Sequence, residues 1–197
     1  MNYIFWSILI MIATIAFLFF RFEKRQTRSR RIVIVAVMTA LSVLGRFIFG
    51  ALPAFKPITA IVVVTAIWMG PECGFMVGAL TALISNFYFG QGPWTPFQMV
   101  AYGIIGVVGG LLSTPLKKNR ITLSIYGAFA GIFYSCFMDI WTVLGLGESF
   151  TWDLYKAALI TAVPYMITYA VSNVVFLNLI GKPFGEKFDR VIKKYGI

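Results

Sequence analysis

Seven stretches of this chain carry no charged side chain: Tyr3–Phe20, Ile32–Gly45, Pro57–Gly70, Cys73–Phe89, Pro96–Leu116, Ile121–Met138 and Ala157–Gly181. A helix crossing the hydrocarbon of a bilayer needs about 20 mainly apolar residues, and a helix keeps its backbone polar groups paired there without water. The runs therefore predict an all-α integral membrane protein with seven spans. The second is long enough if Arg46 lies near its end and Phe47–Phe49 continue it. The third extends back through Leu52–Phe55 if Lys56 snorkels, and the sixth continues past Asp139 to about Leu144. Composition agrees, with 59% apolar and 12% charged residues against about 45–50% and about 25% in soluble domains.

Fourteen of the seventeen Lys and Arg residues fall in three clusters: Arg21–Arg31, Lys117–Arg120 and Lys182–Lys194. A seven-helix weave puts all three on one side, which the positive-inside rule makes cytoplasmic. The N-terminus is then outside and the C-terminus inside, with outward loops near Ala51–Lys56, Phe89–Thr95 and Gly145–Asp153. Because the charges sit at helix ends, the net +10 points to topology and anionic lipid headgroups, not to nucleic acid. The first run lacks a basic region before it and has a heavily basic flank after it, which predicts a retained anchor in place of a cleaved signal.

Four parts follow: an anchor helix over 1–22, a basic cytoplasmic linker over 23–31, a six-helix membrane domain over 32–181, and an amphipathic cytoplasmic tail over 182–197. The tail places Phe184, Phe188, Ile192 and Tyr195 on one helical face. Small residues recur four apart at Ala36/Ala40, Gly70/Gly74/Gly78 and Gly106/Gly110, a spacing that lets helix backbones approach closely. Cys73 and Cys136 fit no metal-ligand spacing and read as packing residues.

Catalysis finds little footing. The chain has no His, no paired carboxylates at helical spacing inside the runs, and no phosphate-binding G-x-x-x-x-G-K-[ST] loop. We expect no catalytic residues, no metal ligands and no enzyme. Recognition is better supplied. The stretch Asn86–Gln98 packs two prolines, two glycines, an Asn, two Gln and five aromatic rings between two apolar runs; its Gly and Pro predict a helix-breaking turn facing outward. Rings with a few polar groups are the usual lining of a small-molecule site. The candidate substrate-binding residues are Arg46, Phe49, Asn86, Tyr88, Gln91, Trp94, Gln98, Asp139, Trp141, Trp152 and Tyr165. A carboxylate inside a span is costly, so Asp139 needs a partner or a wet cavity, and Arg46 is the nearest candidate.

From about Arg31 onward the chain resembles the substrate-binding S component of energy-coupling factor (ECF) transporters. The resemblance rests on Ala36-Val-Met-Thr-Ala-Leu-Ser-Val-Leu-Gly-Arg46, on the Ala36/Ala40 pair within it, and on the Gly-Gln-Gly-Pro-Trp-Thr-Pro stretch. It implies a six-helix core, here with an additional N-terminal helix. It also implies capture of a vitamin from outside a bacterial cell membrane, a scaffold subunit meeting Ala36 and Ala40, and two ATPase subunits. No catalytic cofactor is implied, and ATP would be used only by the partners. The resemblance leans to the cobalamin type, while a flavin or a queuosine precursor suits the rings and amides as well. A small ion-gradient-driven carrier using Asp139 is the alternative from another class; a membrane enzyme lacks its acidic motif.

Overall fold

The third apolar run, one of the two shortest, occupies the middle of the molecule. In the computed structural model, which describes residues 29–146 and 150–196 together with 5, 8, 9, 12, 13, 15, 16 and 20, the second helix is Ile58–Met69, only 12 residues long. At 1.5 Å per residue it spans about 18 Å, short of the roughly 30 Å hydrocarbon layer. It is apolar all round, and every residue but Trp68 is buried, as expected of a helix with no polar face. Its β-branched residues are modest helix formers; packing holds it, because it contacts every other helix of the bundle over 29–196.

We number these helices α1 (Ser29–Ile48), α2 (Ile58–Met69), α3 (Pro71–Phe89), α4 (Trp94–Leu111), α5 (Ser113–Lys118), α6 (Arg120–Gly145) and α7 (Trp152–Tyr195). Five of them, all except α2 and α5, are long and apolar enough to cross a membrane. The described residues contain no strand. In the first apolar run the described positions are helical, and Ile15 packs against the core. The basic linker from Arg21 to Arg28, and Glu148 in the last loop, lie outside the described residues.

Of the spaced glycines, Gly70 sits between α2 and α3 at φ 96° with open space where a Cβ would be, while Gly74, Gly78, Gly106 and Gly110 do the expected work. A Cβ at Gly74 would lie 3.1 Å from the Gly106 backbone, one at Gly78 would meet the Tyr102 backbone at 2.8 Å, and one at Gly110 would meet Pro71 at 2.5 Å. The α3–α4 contact is therefore a backbone-to-backbone seam. Gly131 likewise admits the Tyr169–Ala170 backbone of α7 against α6, and Asn173 Nδ2 donates to Gly127 O at 3.0 Å across the same seam.

Four expectations need correction. Leu52–Phe55 does not extend α2: Ala54 adopts φ 57°, and Pro57 biases Lys56 away from helical geometry. Leu116 is not in α4, which stops at Leu111; the chain turns into α5, whose Pro115 has no N–H to continue the ladder. The Asn86–Gln98 turn is shorter than expected. Only residues 90–93 leave the helix, because Gly90 at φ 107° ends α3 and Pro96 is tolerated in the first turn of α4. Finally, the tail is not a separate helix. It continues α7, which runs 44 residues through Pro164 and Pro183, and its Phe188 is buried, stacked on Trp68 at 6.3 Å.

The helix ends sort by charge. Arg30 donates to the backbone oxygen of Tyr195, Arg120 bonds Asn178 through Nε and Nη2, and Lys117 lies over the Trp68 ring at 5.1 Å. The described members of the three basic clusters thus gather at one end. The loops over 49–57 and 90–93 lie at the other.

Candidate functional site

At the end opposite the basic clusters, the last turns of α1 and α3 meet the first turn of α4. Arg46 Nη1 donates to Ser85 Oγ and, at 2.7 Å, to Asn86 Oδ1. Asn86 Nδ2 donates in turn to Thr95 Oγ1 at 2.9 Å and Gln98 Oε1 at 2.8 Å. Asn86 is 1% exposed, and its amide uses both protons and its oxygen. Such satisfaction is what makes a buried amide tolerable. Gln91 ties off the network: its Nε2 donates to Leu83 O, and its Oε1 accepts from Thr95 Oγ1.

Beside this network lies a polar cavity of about 60 Å³. Arg46, Lys56, Gln98 and Asn173 line it with Tyr102, Tyr134 and Tyr169. The tyrosine rings form a continuous set, with Tyr102 stacked on Tyr134 at 4.5 Å and Tyr169 edge-on to Tyr134 at 5.1 Å. No carboxylate lines the cavity, and the Lys156–Asp153 ion pair, at 3.5 Å between exposed side chains, lies apart from it. Two cations thus face a cavity with no anion. Burial, and then the nearby Arg46 charge, hold the Lys56 amine below its ordinary value. Arg46 also lies over the Phe89 ring, 4.6 Å from its centroid.

The loop carrying Lys56 is fastened from α7. Ser172, fully buried, accepts from Lys56 N at 2.9 Å and donates to Lys56 O at 3.1 Å. Next to it, Phe49 packs edge-on against Phe176 at 5.0 Å and Phe55 at 6.3 Å.

The predicted residues therefore divide. Arg46 and Gln98 line the cavity, Asn86 braces both, and Phe49 adjoins the loop. Gln91 holds the α3–α4 turn. Trp94 packs its ring over Gly92, and Trp141 packs on Phe97 at 5.4 Å. Tyr88, Trp152 and Tyr165 point outward, 75%, 70% and 54% exposed; an apolar surround is where such side chains belong in a membrane-interface belt. Asp139 makes no ion pair with Arg46, whose Nη1 donates to Ser85 and Asn86; the Oδ2 of Asp139 is buried with no hydrogen-bond partner. Ala36 and Ala40 are exposed on α1.

Sequence reading missed Tyr102, Tyr169 and Asn173 as site residues, and left Lys56 and Tyr134 outside the candidate set. A signal existed. Tyrosines at a membrane interface sit near the ends of apolar runs, whereas Tyr102, Tyr169 and Asn173 each lie inside one.

A multi-pass helical membrane protein with a polar, ring-lined cavity between its helix ends is the form of a membrane-embedded small-molecule binder. Residues 26–188 match the family model described as ECF-type riboflavin transporter, S component. The match covers most of the chain, and the protein belongs to that family of transport subunits. Among curated proteins it is similar to a UPF0397 protein of Aliivibrio salmonicida, 24% identical over 160 residues, covering 78% of this chain and 86% of that one. A UPF0397 protein of Vibrio atlanticus is 27% identical over 173 residues, covering 78% and 92%. No solved structure matches the chain significantly.

Proposed function

We propose that this protein captures a flavin from outside the cell and delivers it inward as the substrate-binding subunit of an ATP-driven ECF importer. The observation that carries the reading is the donor-rich cavity: Arg46, Lys56 and three tyrosines around a space that no carboxylate lines. A flavin offers the complement, a flat ring for the tyrosines and an edge of carbonyl and ring-nitrogen acceptors for the cations and amide. The family description names riboflavin; nothing in the comparisons favours cobalamin, the type to which the sequence resemblance leaned.

At about 60 Å³ the cavity holds only a few waters, whereas small-molecule pockets run to roughly 300–1,000 Å³. In this reading the flavin enters as the loop over 49–57 swings off Ser172, exchanging two hydrogen bonds for contacts with the ligand. A scaffold subunit and two ATPases supply the energy. The exposed Ala36 and Ala40 on α1 are our assignment for the scaffold contact. Basic residues at one end make that end cytoplasmic in a bacterial membrane, with the C-terminus inside, the N-terminus outside and the first helix an added anchor.

The test is binding by purified protein. Riboflavin should bind with quenched flavin fluorescence and raise the melting temperature, and cyanocobalamin should do neither. Stabilisation by cyanocobalamin alone would reverse the substrate assignment. The orphaned Oδ2 of Asp139 favours one second reading, an ion-driven carrier. Proton-dependent uptake lost in Asp139→Asn, with binding intact, would establish it.

A further inference from the structure

The basic end holds a second concavity that the transport reading leaves unused. A cleft of about 380 Å³ opens where α2, α5, α6 and α7 converge. Its rim carries Lys117, Lys118, Arg120 and Lys182, against the acids Glu186 and Asp189. Asp189 is already engaged, accepting from Trp68 Nε1 at 3.0 Å. Arg120 is oriented by its bonds to Asn178, whose Nδ2 is anchored on Ser124 Oγ at 2.9 Å. Lys118 and Lys182 have no hydrogen-bond or ion-pair partner among the described residues. The cleft exists because α7 has no side chain at Gly181 and Gly185; a Cβ at Gly185 would lie 2.4 Å from the Trp68 ring.

Below the rim the lining turns apolar at Leu116, Leu123 and Leu177. Next in sequence to the lining residues Arg120 and Asn178, α6 and α7 carry the apolar side chains of Ile121 and Leu179, 70% and 62% exposed. Cations above an apolar wall at the end of a membrane bundle match the two halves of an acidic lipid. We propose that this cleft binds one anionic phospholipid of the phosphatidylglycerol class. Its phosphodiester sits among Lys118, Lys182 and Arg120, its headgroup hydroxyls reach Glu186, and its acyl chains lie along Ile121 and Leu179. The hydroxyls give Glu186 uncharged donors to accept from.

Native mass spectrometry of the purified full chain tests this, with dioleoyl phosphatidylglycerol and dioleoyl phosphatidylcholine as probes. The variants are Lys118→Gln/Lys182→Gln and, with equal charge loss at the same end, Lys193→Gln/Lys194→Gln. One phosphatidylglycerol should be retained in preference to phosphatidylcholine. That retention should fall roughly tenfold in the first variant and hold in the second. Equal loss in both variants, or equal retention of the two lipids, overturns the proposal, because diffuse attraction then suffices. A third arm adds inorganic phosphate: protection against thermal unfolding at concentrations as low as the lipid's would assign the cleft to a free anion and overturn the lipid. Riboflavin binding is independent of every outcome, so failure here leaves the transport reading standing.

Discussion

Asn86 links three helices through a single amide, so its loss should reach further than one contact. Asn86→Ala leaves Arg46, Thr95 and Gln98 each short of a partner. Unsatisfied buried groups cost about 1–3 kcal/mol each; we expect a fall of about that size or larger in unfolding free energy and weaker flavin binding, read by thermal melting and titration. Lys56 gives a prediction of opposite sign. Its folded pKa is lowered from 10.5 by burial and by Arg46, so folding is opposed while the amine is charged in both states. That penalty is present below the lowered folded pKa and disappears as pH rises through it toward 10.5. Lys56→Met should therefore raise the melting temperature at neutral pH, with the gain shrinking as the pH approaches 10.5. A gain that grows with pH would contradict this.

At the level of helices, the α3–α4 seam tolerates no side chain. Gly78→Leu drives a Cβ into the Tyr102 backbone; overpacking typically costs about 1–3 kcal/mol, and here no flexible neighbour can yield. Lower yield of folded protein and a depressed melting temperature are expected. Bulky residues at the exposed Ala36 and Ala40 should do the reverse, leaving riboflavin binding intact while abolishing co-purification with ATPase subunits. These elements also mark what a reader of the sequence can and cannot see. Long charge-free runs and four-residue glycine spacing revealed the spans and their seams, because both follow from local pattern. The neighbours of α2 were invisible, since a uniformly apolar helix has no face to betray them. The reach of α3 and α4 into the Gly/Pro stretch was hidden for another reason: a proline in a first turn reads as a breaker although it costs that turn nothing.

Across the molecule, polarity is arranged by end. The described members of the three basic clusters, distant in sequence, meet at one end, and the aromatic–cationic cavity lies toward the other. The candidate site was half legible. Asn86 and Gln98 stood out as polar groups in a Gly/Pro stretch, and Arg46 as a charge near the end of an apolar run. Tyr102, Tyr169 and Asn173 did not, because their convergence depends on how α4, α6 and α7 pack around α2. Exposed tryptophans such as Trp152 attracted attention for their type alone. The central claim is that a flavin occupies the Arg46–Lys56–tyrosine cavity. Fluorescence titration of riboflavin against wild type, Tyr169→Phe and Trp152→Ala measures this most directly. Saturable quenching is expected, weakened about tenfold or more by removing the Tyr169 hydroxyl, roughly the 1–3 kcal/mol of an unpaired site group, and unchanged in Trp152→Ala. Binding insensitive to Tyr169→Phe but lost in Trp152→Ala would contradict it.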